Sequence, residues 1–400
     1  MKKHKRFAII STLMVVSMLF TACSKQLPDE TLPPATSAAV TSESTEASES
    51  LAIETEISET AAEEPSHGPF STAVVTEKVV ENNGQLSVVG KDIVNQNGEP
   101  IQLRGMSTYG LNGMAGFVNA DTVQTLAEDW GCDVIRLAMY TEGNSDGYTQ
   151  NPDKYFNQAC EYMDLCIAQG VYVIIDWHIL FDGDPNEHKD MAIDFFSRIS
   201  AIYGEYPNVI YEICNEPNGM RYDDPDSPVD WDNTIRPYAV DVIDAIRAND
   251  PDNIILIGTS NYSRDVDIAA ANPIEGENLM YTFHFYAGSH GQEMKDQLQT
   301  ALDMGLPVFV SEWGTSQASG SGGVYEEESL AWLQMLEENN ISWCNWSIGG
   351  SVTESSNALK FVSNVLTMEE KLAGHWPDEF ISNSGLFVRS ILLGTYGDEG

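Results

Sequence analysis

Cations are scarce in this sequence, and its cysteines and histidines are scattered. The chain carries 20 Lys and Arg against 61 acidic residues, a formal net charge of −41. Such a chain repels polyanions, which excludes nucleic acid as a partner and leaves neutral or cationic molecules. Six cysteines are present, yet Cys132, Cys160, Cys166, Cys214 and Cys344 stand singly in strand-like or helix-like segments. Neither a disulfide framework nor a zinc pattern follows, and buried thiols are expected. No His-x-His pair exists among His178, His188, His284, His290 and His375, so a metal-dependent barrel hydrolase lacks its ligands, and neither metal nor cofactor is expected. No Gly-rich turn follows an early strand, which removes a dinucleotide fold. A glycine-rich stretch at 319–323 exists, but no Lys or Arg falls between Trp313 and Lys360 to neutralise a phosphate there.

What is present begins with an export pattern. Lys2, Lys3, Lys5 and Arg6 precede an apolar stretch at 7–22 that is short for a membrane span, and Cys23 follows at the cleavage position. Residues 1–22 are therefore expected to be a signal peptide. Segment 19–23 (LFTAC) resembles a bacterial lipoprotein box, which implies acylation of Cys23 and attachment to the outer face of the cell membrane; plain secretion is the alternative. Residues 23–80 are dominated by Ser, Thr, Ala, Glu and Pro, too polar to offset chain entropy by burial, and are expected to form a disordered acidic tether.

Beyond residue 85 the hydrophobic period alternates between strand and helix. Segment 85–98 predicts a hairpin with Asn97-Gly98 at a turn. Eight strands are expected at 101–107, 134–140, 172–178, 209–216, 253–259, 279–286, 307–313 and 341–347. Helix-length segments lie between them, at 153–169, 187–203, 232–249, 294–304 and 326–339. Eight such units within 81–392 predict an α/β chain folded as a (β/α)8 TIM barrel, with 393–400 as a tail and the site at the C-terminal strand ends. A monomer is expected.

Those strand ends concentrate chemistry. Arg136 and Tyr140 belong to the second strand, Asp176-Trp177-His178 ends the third and Asn215-Glu216 the fourth. His284 and Tyr286 end the sixth, Glu312-Trp313 the seventh, and Trp346 the eighth. An isolated histidine or tryptophan in an apolar strand is ordinarily packing, but a closed barrel makes all of these converge. Paired strand-end carboxylates, Glu216 and Glu312, suit the splitting of a glycosidic bond, where one protonates the leaving oxygen and the other attacks. Trp177, Tyr140, Trp313 and Trp346 suit the apolar faces of sugar rings.

The ordered segments 134–140 (VIRLAMY), 173–180 (VIIDWHIL), 209–219 (VIYEICNEPNG), 281–291 (YTFHFYAGSHG), 309–316 (FVSEWGTS) and 342–347 (SWCNWS) resemble the bacterial endoglucanases of glycoside hydrolase family 5. The resemblance spans 85 to about 390. It implies a retaining endo-β-1,4-glucanase with Glu216 as acid/base and Glu312 as nucleophile. It further implies Asn215 at the sugar 2-hydroxyl, Arg136 and Tyr286 supporting Glu312, His178 and His284 at the −1 subsite, and Trp346 as its platform. Tyr262 is expected on the aglycone side. A β-glucan is the implied partner, with cellulose first and mixed-linkage glucan, xyloglucan or mannan as alternatives; a non-catalytic glycan-binding lipoprotein is the contrasting class.

The sequence departs from that family on the glycone side. Tyr109 and Gly113 stand where His and Trp are usual, and 348–351 lacks the usual Lys. The −2 side is expected to be altered.

Overall fold

A computed structural model describes residues 79–112, 117–142, 146–219, 229–351, 355–360 and 375–397. The segment 1–22, Cys23, the tether to residue 78, Gly113, most of the loop 220–230 and residues 398–400 lie outside the described residues.

The described chain opens with a short helix, Val79–Asn83, followed by a small antiparallel sheet of β1 (Ser87–Val89), β2 (Asp92–Val94) and β3 (Pro100–Ile101). The single expected hairpin is thus two. Gly90 (φ 65°) reverses the chain between β1 and β2, and Asn97-Gly98, with Gly98 at φ 78°, turns it from β2 towards β3. This sheet is tied to the N-terminal ends of later strands: Val88 N–H donates to Asn278 Oδ1 (2.9 Å) and Asn340 Nδ2 to Asp92 Oδ1 (3.2 Å).

Eight parallel strands then close into a barrel: β4 (Arg104–Thr108), β5 (Val134–Tyr140), β6 (Tyr172–His178), β7 (Val209–Glu212), β8 (Ile255–Ile257), β9 (Leu279–Tyr286), β10 (Val308–Gly314) and β11 (Trp343–Ile348). Each pairs with its successor, and β11 returns to β4 with Trp343 opposite Arg104 and Trp346 opposite Ser107. β7 and β8 are shorter than the expected 209–216 and 253–259. Pro217, which has no N–H, cannot extend a ladder, so the chain leaves the sheet carrying Asn215 and Glu216 inward. Gly258 permits the close passage this requires, since a Cβ there would lie 2.1 Å from the Cys214 carbonyl oxygen.

The helices behind the strands follow local rules. Pro152–Gln169 starts with Pro at its first turn and stops at Gly170, left-handed at φ 82°. Ala120–Glu128 is capped by Asn119, whose side chain accepts from Thr122 N–H at 2.9 Å. The helix expected at 232–249 begins as a π-turn, Trp231–Ile235, before the α-helix Arg236–Arg247. Strand alternation sends one set of side chains into the barrel and the other against these helices. Trp177 accordingly packs on Phe195 (5.5 Å between rings) and Trp313 on Phe285 (5.7 Å). Both tryptophans are fully buried. They are core residues and cannot be the sugar platforms expected of them, because each neighbours an inward-facing residue and so points outward. Cys132, Cys166, Cys214 and Cys344 are buried free thiols, and Cys160 is a half-buried one.

Candidate active site

The C-terminal strand ends enclose a cleft of about 430 Å³, lined by Tyr109, Tyr140, His178, Glu216, Tyr262, His284, Tyr286, Glu312 and Trp346 among others. Arg136 and Asn215 lie beneath it, fully buried. All ten of the sequence-predicted substrate-cleft residues are therefore brought together, whereas Cys23 lies outside the described residues.

Arg136 on β5 organises the floor. Its Nε and Nη2 donate to the two oxygens of Glu212 (2.7 and 3.0 Å), Nη2 also to Asn215 Oδ1 (2.7 Å), and Nη1 to Glu312 Oε2 (3.1 Å). Asp176 Oδ2 is 3.0 Å from Nη2 as well. One guanidinium thus faces three carboxylates in a dry interior, which cannot all remain charged cheaply. For Glu212, burial works upward, but the bidentate Arg136 contact and His284 outweigh it and hold the carboxyl down at about 2. Asp176, with Oδ1 buried and unpartnered, is pushed well above the ordinary carboxylate range by burial, against the pull of Arg136. Glu212 is thus the carboxyl that Arg136 favours in its charged form, and Asp176 the one that burial disfavours.

The two histidines diverge for the same reason. His178 lies 2.6 Å through Nδ1 from Asp176 Oδ2 and stacks on Trp346 (5.3 Å, 8°). Burial first and Arg136 second lower its pKa to about 3, so the ring is neutral. His284 is equally buried, which opposes charge, yet its contacts with Glu212 and Glu216 raise its pKa to about 9. Its Nδ1 is 3.0 Å from Glu216 Oε1 and its Nε2 2.9 Å from Ser311 Oγ, which in turn donates to Glu212 Oε1 at 2.7 Å. A register shift in β10 between Phe309 and Glu312 lets both Ser311 and Glu312 face inward.

Glu312 receives one donor on each oxygen, Arg136 Nη1 on Oε2 and Tyr286 Oη on Oε1 at 2.6 Å. Glu216 is the more exposed, at 13% of its side chain against 5% for Glu312. One oxygen of each and a ring nitrogen of His284 lie within 4.8 Å of one another. That trio could in principle ligate a cation, but a charged His284 has no free lone pair. Among the described residues, Glu142, Glu187 and His188 form a second close group, at the surface, where His188 Nε2 and Glu142 Oε1 are 2.7 Å apart.

The segment after β8 braces the Glu216 side. Asn261, Tyr262 and Ser263 adopt φ of 58°, 64° and 54°, three successive left-handed residues without glycine, a conformation costing about 1–2 kcal/mol per residue. Compensation is visible: Ser263 Oγ donates to the Asn215 carbonyl (2.5 Å), and Tyr262 N–H to the Pro217 carbonyl (3.0 Å). On the facing side Tyr109 sits 5.6 Å from Trp346.

Sequence reasoning missed Glu212, Ser311 and His290. Glu212 gave a usable signal, a carboxylate inside the apolar run 209–214. Ser311 gave none, because only the strand irregularity turns it inward.

The sequence profile described as Cellulase (glycosyl hydrolase family 5) matches residues 94–352. An endoglucanase of Clostridium saccharobutylicum is 47% identical over 78% of this chain and 66% of its own length. Endoglucanase A of Evansella cellulosilytica is 48% identical over 73% of this chain and 56% of its own. This chain thus spans under two thirds of the length of either relative. The catalytic domain of Thermobifida fusca endoglucanase Cel5A has a solved structure with a TM-score of 0.70 and 35% identity, covering 79% of this chain and 99% of that domain. With its closed eight-stranded barrel and the matched profile across it, the chain belongs to the cellulase family, glycosyl hydrolase family 5.

Proposed function

We propose that the chain is a retaining endo-acting β-1,4-glucanase in which Glu312 is the nucleophile and Glu216 the acid/base. The observation that carries this reading is the placement of Glu216 and Glu312 across one cleft with carboxyl oxygens within 4.8 Å. Retention needs carboxyl groups roughly 5–5.5 Å apart, whereas an inverting pair stands wider to admit water. Glu312, held by Arg136 and Tyr286, presents a charged oxygen to the anomeric carbon. Glu216, whose Oε1 lies 3.0 Å from His284 Nδ1, is the cleft carboxyl placed to protonate the leaving oxygen. Attack forms a glycosyl ester on Glu312 and expels the aglycone with the proton from Glu216. Water, deprotonated by Glu216, then cleaves the ester and restores both groups. Trp346 and Tyr109 offer faces to the glycone sugars, and Tyr262 to the aglycone. The names of the relatives, endoglucanases, support a β-glucan as substrate.

The test is a pair of variants. Glu312→Gln and Glu216→Gln each abolish hydrolysis of unactivated glucan, but Glu216→Gln still cleaves aryl glycosides whose leaving group needs no proton. Equal loss on both substrates in Glu216→Gln overturns its role. NMR of the first-formed product must show the β-anomer.

The same proposal extends to the N-terminus. Residues 1–22 act as an export signal, and Cys23 is acylated and holds the enzyme outside the membrane on the acidic tether, as its basic and apolar flanks suggest. Detergent partition of Cys23→Ser moves to the soluble fraction; a soluble unmutated protein refutes the anchor.

A further inference from the structure

The walls of the cleft differ in charge. Beside Trp346 stand the aromatic Tyr109 and Tyr140. On the Glu216 side the turn after β8 contributes Tyr262 and Arg264, with His290 alongside. Among the described residues that line the cleft, Arg264 is the only Lys or Arg, in a chain of net charge −41.

Its guanidinium is held in place. Nε donates to the Asn261 carbonyl (2.6 Å) and Nη2 to Asn261 Oδ1 (2.5 Å), while the group sits 5.4 Å from the Tyr262 ring centre. Asn261 is the left-handed residue that opens the turn, so the strained backbone itself fixes the cation's position. No described carboxylate forms an ion pair with it, and Nη1 donates to no described residue. His290 supplies a second donor. Its Nδ1 accepts the Tyr286 N–H at 2.9 Å, which leaves Nε2–H as the donor of the neutral ring. Burial, and then the charge of Arg264, lower its pKa to about 4, so the neutral form is the working one.

A neutral glucan offers such a corner only hydroxyl acceptors. A carboxylate accepts charge-assisted bonds from a guanidinium, in the geometry that Arg favours over Lys. Because Glu216 protonates the leaving oxygen, sugars bound beyond it belong to the leaving group.

We propose that Arg264, with His290 as second donor, is a specificity residue that recognises a carboxylate on the leaving-group side, so that the enzyme takes β-glucans carrying uronic units there. This rests on the reading of the chain as a retaining β-glucanase. Strain in the 261–263 turn is maintained because it orients this cation.

The experiment compares kcat/KM of the full enzyme on cellohexaose and on the same oligosaccharide with one glucose of the reducing half oxidised to glucuronate, with products mapped by mass spectrometry. Wild type cuts so that the glucuronate lies in the reducing-end product, within two sugars of the new end. Arg264→Gln lowers the acidic-to-neutral ratio about tenfold, equivalent to 1.4 kcal/mol, and Arg264→Lys recovers part of it. Raising salt to about 0.5 M reduces the ratio in wild type and leaves that of Arg264→Gln unchanged. An unaltered ratio in Arg264→Gln, or glucuronate recovered on the non-reducing side, overturns the inference. Should Arg264→Gln fail to fold, a salt-insensitive wild-type ratio overturns it instead. If wild type cuts neither substrate, the β-glucanase reading itself has failed; if it cuts cellohexaose alone, only the specificity inference has.

Discussion

The floor of the cleft and its rim are built on opposite principles. Beneath the cleft, Arg136, Asp176, Glu212 and Ser311 are fully buried on strands, and each hydrogen bond constrains the next. Around the mouth, Tyr109, Tyr262 and Arg264 sit half-buried on segments outside the barrel strands, held by local contacts such as those of Arg264 with Asn261. The floor determines protonation and geometry; the rim determines which chain is held. Changes to the floor should therefore cost stability and chemistry together, and changes to the rim should alter recognition alone.

The sharpest way to break this contrast is at Arg136. Arg136→Met leaves three carboxylates without their shared cation, and removing one partner of a buried pair typically costs about 3–5 kcal/mol. The expected outcome is a large drop in melting temperature with hydrolysis reduced at least about a thousandfold. A variant that melts like wild type would show that the floor is not a coupled unit.

Next comes a paired comparison of tryptophans. Trp177→Ala opens a cavity in the layer against Phe195 and should cost about 3–5 kcal/mol in denaturant titration. Trp346→Ala should leave that midpoint nearly unchanged and lower kcat/KM on short cello-oligosaccharides. If Trp346→Ala is the more destabilised protein, the division fails.

The histidines give a pH test. His284 has a folded pKa of about 9, above its unfolded value near 6.5, so its contribution is full below pH 6.5 and is lost as pH rises through 9. That contribution is on the order of 3 kcal/mol. The stability difference between wild type and His284→Gln should thus shrink between pH 6.5 and 9. His178, lowered to about 3, works the other way: the folded ring stays neutral while the unfolded one protonates, so stability is lost as pH falls from 6.5 towards 3. His178→Gln removes that acid-side slope. Parallel pH profiles for wild type and either variant would contradict the assigned states.

The smallest effect belongs to the rim. Tyr262→Ala should raise KM for long oligosaccharides by an amount equivalent to about 1–3 kcal/mol, by analogy with base stacking, with an unchanged melting temperature. A drop in kcat with KM unaltered would move Tyr262 into the chemistry.

The same contrast explains what could be read in the sequence. Barrel, strand order and the two glutamates were legible because strand ends converge by topology alone. Of the four strand-end aromatics, Tyr140 and Trp346 line the cleft and Trp177 and Trp313 do not. Trp177 and Trp313 share the strand ends with Tyr140 and Trp346, but parity along the strand, which proximity to a motif does not reveal, directs them outward. Asp176 was visible beside His178, whereas the upward pull on its pKa comes from burial in the barrel floor and follows from no local pattern. The rim was hardest, since the left-handed run at 261–263 contains no glycine to announce it. Tyr109, read from the sequence as a departure on the glycone side, packs near Trp346, and its partner in that reading, Gly113, lies outside the described residues.

The pairing of β11 with β4 links the two ends of the barrel, and Leu103 N–H bonds Ser342 Oγ across 239 residues. A chain synthesised from its N-terminus has therefore produced both glutamates well before the last strand exists to seal the ring, and until then β4 and β10 present open edges. The cleft is consequently completed late: a chain that ends before Trp343 lacks the strand that joins β10 to β4, so Glu216 and Glu312 already exist while the ring that holds them face to face is still open.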